Sequence, residues 1–294
     1  MRISNLGRVG VWSGRLKRVP TQEALADATH YERLGYGALW IPESPAGKDV
    51  LTFAAVLLGG TVRIPIATGI AIIWARDPVA MMNASRTLED AHAGRFILGL
   101  GISHRSTAEM RGHSYQRPLA SMRNYLEEMD AAPYDGEVMA PAPPRVLGAL
   151  GPRMVKLAAD LTDGILPFLS TPTHTYRSRQ ALAGDQLLAV EQAIVLGRDM
   201  TEARAVARAN LSRFLGWVSY RRHIERMGFS EEDLDAGGSN RLVDALYAIG
   251  DETAIARRLE QHFDAGADHV CIQVVPSDET TERESLQALA PAVL

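Results

Sequence analysis

The run Leu147-Gly-Ala-Leu-Gly-Pro-Arg at 147–153 combines residue types suited to holding an anion. It follows a strand-like stretch, Arg145 to Leu150, and leads into a helix with Pro152 at the first helical position. The free N–H groups of a helix start, with the helix dipole behind them, attract a phosphate, and Arg153 adds a charge-assisted bond. The same two glycines also suit a plain tight turn between strand and helix. A second stretch, Gly99-Leu-Gly-Ile-Ser-His at 99–104, ends another strand in glycine and supplies Gly101, Ser103 and His104. His104 is a candidate general acid or base because imidazole titrates near neutral pH; a phosphate or loop contact is the competing role. Glu43, in Pro-Glu-Ser, is either a base or the ion-pair partner of a rim arginine such as Arg76. Trp12 and Trp74 close strands and are aromatic candidates for a pocket, whereas Trp40 lies mid-strand and reads as core.

Other chemistries find less support. The eight histidines, at 30, 92, 104, 113, 174, 223, 262 and 269, show no metal-ligand spacing, so no metal is expected. The 99–104 run lacks the third glycine and the distant acid of a dinucleotide fingerprint. Nothing around Ser13 or Ser103 forms a nucleophile elbow. The lone cysteine, Cys271, sits in a strand-like run and reads as a buried, inert thiol; a reducing cytoplasm fits. The net charge of −4 gives no reason to expect nucleic acid or an anionic membrane as partner. Arginine far outnumbers lysine, which occurs only at 17, 48 and 156; this reads as compositional bias rather than as a basic binding face.

The elements that must position these residues alternate between β-branched runs and helical periodicity. Strands are predicted at 7–12, 38–44, 64–74, 95–101, 145–150, 164–169, 187–196 and 269–275. Helices are predicted from an N-cap at Thr21 to Leu34, from Asp49 to Leu58, from Asp77, over 117–131, from Pro152 to Leu161 and over 251–265. Such alternation implies parallel strands with helices outside, in a closed barrel or an open sheet. Eight strands favour a (β/α)8 TIM barrel, a single domain over 1–294, with a helical insertion at about 199–248 between strands seven and eight. The insertion carries Trp217, Tyr220 and Arg221 to His223, as a lid or a dimer contact. His30, His92 and His262 are expected on outer helix surfaces and His269 in the core.

Three segments together resemble the luciferase-like, flavin- or deazaflavin-dependent family. They are Arg63-Ile-Pro-Ile-Ala-Thr-Gly-Ile-Ala-Ile-Ile-Trp with the following stretch to Gly101, Leu150-Gly-Pro-Arg-Met-Val-Lys-Leu-Ala-Ala-Asp, and Gly250-Asp-Glu with Ala265-Gly-Ala-Asp-His-Val. The resemblance spans roughly 7–276, and Gly94-Arg95 with Leu98-Gly-Leu-Gly is its most specific part. Ile72-Ile-Trp-Ala-Arg-Asp-Pro and Ala267-Asp-His-Val-Cys are similar to the actinobacterial-type branch that uses the deazaflavin coenzyme F420. The resemblance implies a ring at the strand C-termini, pressed against a non-proline cis peptide at Ala71–Ile72. It implies phosphate contacts at Gly148, Ala149, Gly151 and Arg153 and at Ser103 and His104. The chain departs from some relatives by Ser44 in place of histidine and by Ile102-Ser103-His104 in place of glutamate, which argues against a sugar-phosphate dehydrogenase.

The expected activity is hydride transfer between coenzyme F420 and a small organic substrate, with the chemistry supplied by the cofactor. The alternatives are an FMN-dependent monooxygenase using reduced flavin and oxygen, and a flavin-binding barrel without turnover. A cytoplasmic homodimer is expected.

Overall fold

A computed structural model describes residues 6–137, 141–276 and 281–294. In chain order the first half runs β1 (Val9–Trp12), α1 (Thr21–Leu34), β2 (Leu39–Ile41), α2 (Val50–Gly60), β3 (Ile66–Thr68), β4 (Ala71–Ile72), α3 (Pro78–Ala91), β5 (Phe96–Gly101), α4 (Arg105–Met110) and α5 (Pro118–Asp130). The second half runs β6 (Arg145–Leu147), α6 (Pro152–Leu161), β7 (Gly164–Ile165), α7 (Pro172–Ala181), β8 (Leu187–Leu196), α8 (Met200–Leu215), α9 (Val218–Arg226), α10 (Glu231–Leu234), α11 (Asn240–Leu246), β9 (Ala248–Gly250), α12 (Glu252–Asp264), β10 (His269–Val274) and α13 (Glu282–Val293). All strand pairs are parallel, and β10 pairs with both β8 and β1, which closes the sheet into an eight-stranded TIM barrel. β9 extends β8 outside the closed ring.

The period of two along each strand sorts side chains between two cores. Trp40, Ala67, Ile97, Val146, Ala189 and Cys271 point inward and fill the barrel. Their neighbours Leu39, Ile66, Leu98, Leu147, Val190 and Ile272 point outward and pack under the helices. The helices between β8 and β9 form a separate apolar cluster, in which Ala207, Leu211, Ile224, Leu242 and Leu246 pack on Val195. His269 lies in the barrel interior. Trp40 Nε1 donates to its Nε2 (3.0 Å), so Nδ1 carries the proton and donates to the Gly7 carbonyl (2.5 Å). Burial pulls its pKa down to about 4 and keeps the ring neutral.

One strand departs from the sequence pattern. The run Ile64 to Trp74 is not continuous: it breaks into β3 and β4 around a cis peptide at Gly69–Ile70, two residues before the expected Ala71–Ile72. The partner that sets the break comes from β1, where Trp12 Nε1 donates to the Gly69 carbonyl (2.8 Å). A Cβ on Gly69 would sit 2.9 Å from that nitrogen, so only glycine fits beneath the indole.

Candidate active site

The C-terminal ends of the strands open into a cavity of about 2360 Å³. This exceeds the ~300–1,000 Å³ of an ordinary small-molecule pocket and leaves room for a large cofactor together with a substrate. Ile70, released from the sheet at the β3–β4 break, lies across the barrel mouth. A Cβ on Gly101 would meet its side chain at 2.4 Å and one on Gly148 at 3.3 Å. The glycines that end β5 and follow β6 therefore make space for Ile70, and all three residues line the cavity. The far wall is aromatic. Trp12 packs on Phe168 (5.4 Å between centroids), and Phe168 packs on Phe214 (5.4 Å). His104 stacks flat on Trp217 (4.1 Å, 10°) and leans on Tyr220 (5.6 Å). The α8–α9 segment thus supplies one wall of the mouth.

The wall is strongly cationic. Nine arginine or lysine side chains line it against three glutamates, although the whole chain carries a net charge of −4. One glutamate, Glu109, pairs with Arg105 (3.4 Å), and another, Glu43, with Arg76. This corrects the view of arginine as mere compositional bias: residues from separate segments converge on one concave surface, where low-dielectric walls concentrate their field.

Within it, the turn from β6 into α6 has the predicted helix start. Gly151 is the N-cap of α6 with no side-chain cap, and Pro152 opens the helix. The Arg226 guanidinium lies beside Gly151, and Arg153 and Arg222 line the same cavity. His223 supports the turn from behind, with Nδ1 3.0 Å from the Leu150 carbonyl and Nε2 3.2 Å from that of Leu169. Burial and the neighbouring His174 hold its pKa down, to about 3. The ring is therefore neutral and donates to one of the two carbonyls. The contribution of α9 was not legible in the sequence, because Arg226 lies 75 residues from Gly151 and only packing joins them.

Several expected contacts lie elsewhere. Ala71 and Ala149 are fully buried and face the helical layer, because strand alternation turns them opposite to Ile70, Ile72 and Gly148. Trp74 does not line the cavity. The chain turns after β4 (Ala75 N to Ile72 O, 3.0 Å), and the indole donates to the Ile102 carbonyl (2.7 Å) beside His113 and Tyr115. Trp12, Ile72, Gly101, Ser103, His104, Gly148, Gly151 and Arg153 do border it. Ser103 takes a positive φ of 55°, and its carbonyl accepts from Tyr115 (3.1 Å). Burial lowers the pKa of His104. His262, expected on a surface, is fully buried between Thr175 (2.8 Å) and Gln192 (2.9 Å).

Three carboxyls at or beneath the mouth differ in state. Glu43 is locked: Oε1 accepts from Arg76 (2.6 Å), and Oε2 accepts from Ile72 N (2.6 Å) and Arg76 (3.3 Å). Glu191, inside the barrel, has one partner, Leu169 N (3.1 Å), and an Oε1 with none among the described residues; burial pushes its pKa up to about 8. Glu282, at the start of α13, lines the cavity while only 5% exposed. Its Oε1 accepts from Ser13 (2.6 Å) and Tyr31 (3.1 Å). Sequence reasoning missed Glu282 because α13 follows the last strand; its only local signal is the Thr281–Glu284 capping box. Among the described residues no group of three or more His, Cys, Asp or Glu is placed to hold a metal ion, and no helix is long and apolar enough to cross a membrane.

Comparison with known proteins agrees with this architecture. Over 231 residues the chain is 27% identical to 5,10-methylenetetrahydromethanopterin reductase of Archaeoglobus fulgidus, spanning 70% of this chain and 69% of that one. Its fold matches an F420-dependent secondary alcohol dehydrogenase solved with an F420-acetone adduct (TM-score 0.76, 14% identity, 98% and 99% of the two chains). It also matches the oxygenating constituent of 3,6-diketocamphane monooxygenase from Pseudomonas putida, a type II Baeyer-Villiger monooxygenase solved with FMN (TM-score 0.70, 16% identity, 98% of each chain). The model of the luciferase-like monooxygenases matches residues 2–269, and the chain belongs to that enzyme family.

Proposed function

We propose that this protein transfers hydride between coenzyme F420 and a small organic substrate. The observation that carries this reading is the cationic, glycine-floored mouth of the barrel. Ile70 and the glycines beneath it offer a flat apolar seat, Trp12 and Phe168 an aromatic edge, and Arg153 and Arg226 with the α6 start a phosphate seat. The residues present fit a tricyclic ring with an anionic tail. Cations continue around the rim to Lys17 and Arg213, beyond what one phosphate requires, which favours a cofactor with several negative charges over FMN. The names of the reductase and the alcohol dehydrogenase to which the chain is similar point the same way.

When bound, the ring supplies two-electron chemistry; the protein binds it, orients it and excludes water. Phe214, Trp217 and Tyr220 pack on one another along one side of the mouth. His104 holds one face of Trp217, and its replacement by alanine separates this role from proton donation. Unchanged turnover in H104A excludes His104 as the proton donor, and a large loss with normal cofactor affinity supports it. The decisive experiment is anaerobic titration of the purified protein with F420 and with FMN, each oxidised and reduced. F420 is expected to bind in the micromolar range or tighter, and FMN more weakly. Tighter binding of FMN would favour the monooxygenase reading, for which the FMN-bound structural neighbour is the argument. Binding of neither overturns both, whereas binding of a ring without turnover on any tested substrate supports the non-catalytic alternative.

Replacing Arg153 and Arg226 together with alanine is expected to weaken F420 binding by roughly 10- to 100-fold, the scale of losing one charge-assisted contact. The same titration at increasing salt should show a shallower dependence in the double variant. A homodimer, and a reducing cytoplasm as suggested by the lone cysteine, are tested by light scattering and fractionation.

A further inference from the structure

We propose that Glu282 is the proton-exchanging residue of this cavity, the carboxylic acid that donates to a polarised C=O or C=N group of the substrate. The proposal rests on the oxidoreductase reading above and adds the substrate class and the acid. Three observations carry it. Glu282 is nearly enclosed yet lines the cavity beside Trp12, on the same wall as the end of β1. Its Oε1 is pinned by two hydroxyl donors, Ser13 Oγ at 2.6 Å and Tyr31 OH at 3.1 Å. Both of these donors act on Oε1, and Oε2 makes no hydrogen bond among the described residues.

The other two glutamates on the wall are paired. Glu43 is held by Arg76 and Ile72 N, and Glu109 is paired with Arg105 on an exposed turn. His104 has no hydrogen bond orienting either nitrogen among the described residues and lies face to face with Trp217.

The environment suits proton exchange near neutral pH. Burial pushes the Glu282 pKa up to about 7, against the Ser13 and Tyr31 hydroxyls and the Arg15 charge, which favour the carboxylate. The charged groups facing it are Arg15 from the β1–α1 loop, Asp27 from α1 and Arg283 from its own helix; both arginines pair with Asp27. Asp27 thus takes up their charge and leaves Glu282 without a salt bridge.

The step balances as follows in atoms and electrons. The Glu282 O–H bond breaks and an O–H or N–H bond forms on the substrate heteroatom, as the adjacent carbon gains hydrogen and two electrons from a bound hydride donor. The carboxylate left behind is held by Ser13 and Tyr31 and takes a proton from solvent.

The test compares wild type, E282Q and S13A. In the protein without cofactor, a carboxyl infrared band titrating near pH 7 is expected, absent in E282Q and shifted to higher pH in S13A, which loses a donor to the charged form. E282Q is expected to bind F420 normally but to lose roughly 10²- to 10⁴-fold in turnover, the usual worth of a positioned acid. The pH–rate profile of S13A should move in the direction of its infrared band. The proposal is overturned if E282Q folds and keeps wild-type turnover and pH profile, or if no band titrates near neutrality in wild type. Failure of the wild type to bind any ring cofactor, with the infrared titration intact, would instead overturn the oxidoreductase reading.

Discussion

Replacing Arg76 with alanine is expected to destabilise the protein by about 3–5 kcal/mol, the usual cost of leaving a buried charge without its partner. Glu43 is 3% exposed and Arg76 13%, so solvent cannot take over from the missing guanidinium. The effect should reach the site as well, because Glu43 Oε2 holds the Ile72 amide at 2.6 Å and thereby the strand just after the cis peptide. Urea unfolding measures the loss, and cofactor titration of the folded fraction measures the disturbance at the mouth. The pair R76M with E43Q removes both charges and should recover much of the stability, since uncharged partners of similar size carry no desolvation cost. A loss below about 1 kcal/mol for R76A would mean that the pair behaves as a solvated surface contact. Asp49, which also accepts from Arg76 (2.6 Å), is half exposed and should contribute little.

The second large effect concerns pH. Glu191 keeps its proton in the folded chain up to about pH 8, whereas an ordinary glutamate releases it near 4.5. Below pH 4.5 the folded and unfolded chains hold the proton equally. Between 4.5 and 8 the unfolded chain has lost it and the folded chain has not, so stability falls as pH rises through that window. At roughly 1.4 kcal/mol per pH unit, the loss accumulated by pH 8 is of the order of 4 kcal/mol. Glu282 adds a smaller loss of the same sign up to about pH 7. The buried histidines act from the other side. Burial holds His223 and His262 down to about 3 and His174 and His269 to about 4, so their neutral forms stabilise the fold above pH 6.5 and that stability is lost as pH falls. Stability should therefore peak on the slightly acidic side of neutral. Replacing Glu191 by glutamine should flatten the alkaline limb and raise stability by a few kcal/mol at pH 8, measured by thermal unfolding across pH. An unchanged alkaline limb in E191Q would show that the wild-type carboxyl is already ionised when folded.

Local signals were reliable wherever one segment held all the information. Pro152–Leu161 and Leu187–Leu196 begin and end at the predicted residues, because prolines and apolar periodicity are written into each stretch, whereas Thr21, predicted as an N-cap, is the first residue of α1 behind Pro20. Parallel strands with helices outside followed from the alternation of such stretches, with eight strands favouring a barrel, and the turn into α6 from two glycines and a proline at a helix start. The short helices α4 and α7, and α13 beyond the last strand, were not read, since their apolar faces are weak or lie outside the repeating pattern.

The positions that matter most for chemistry depend on partners far away in sequence. The break in the third strand is set by Trp12, 57 residues before Gly69, so its placement at Ala71–Ile72 from sequence was off by one pleat. The arginines of the mouth are scattered along the chain and form one cationic wall only where strand ends and α9 meet. His262 is buried because α12 presses on α7 and β8. Glu282 becomes an acid of the cavity only because its helix returns to β1 and α1, more than 250 residues upstream. The amino-acid sequence determined the alternating strands and helices and the glycine turn into α6, since periodicity records which face of each element is apolar. The tertiary structure decided where Ile70 crosses the barrel mouth, the charge of the mouth and the state of its carboxyls, since burial and hydrogen-bond partners arise only when distant segments pack.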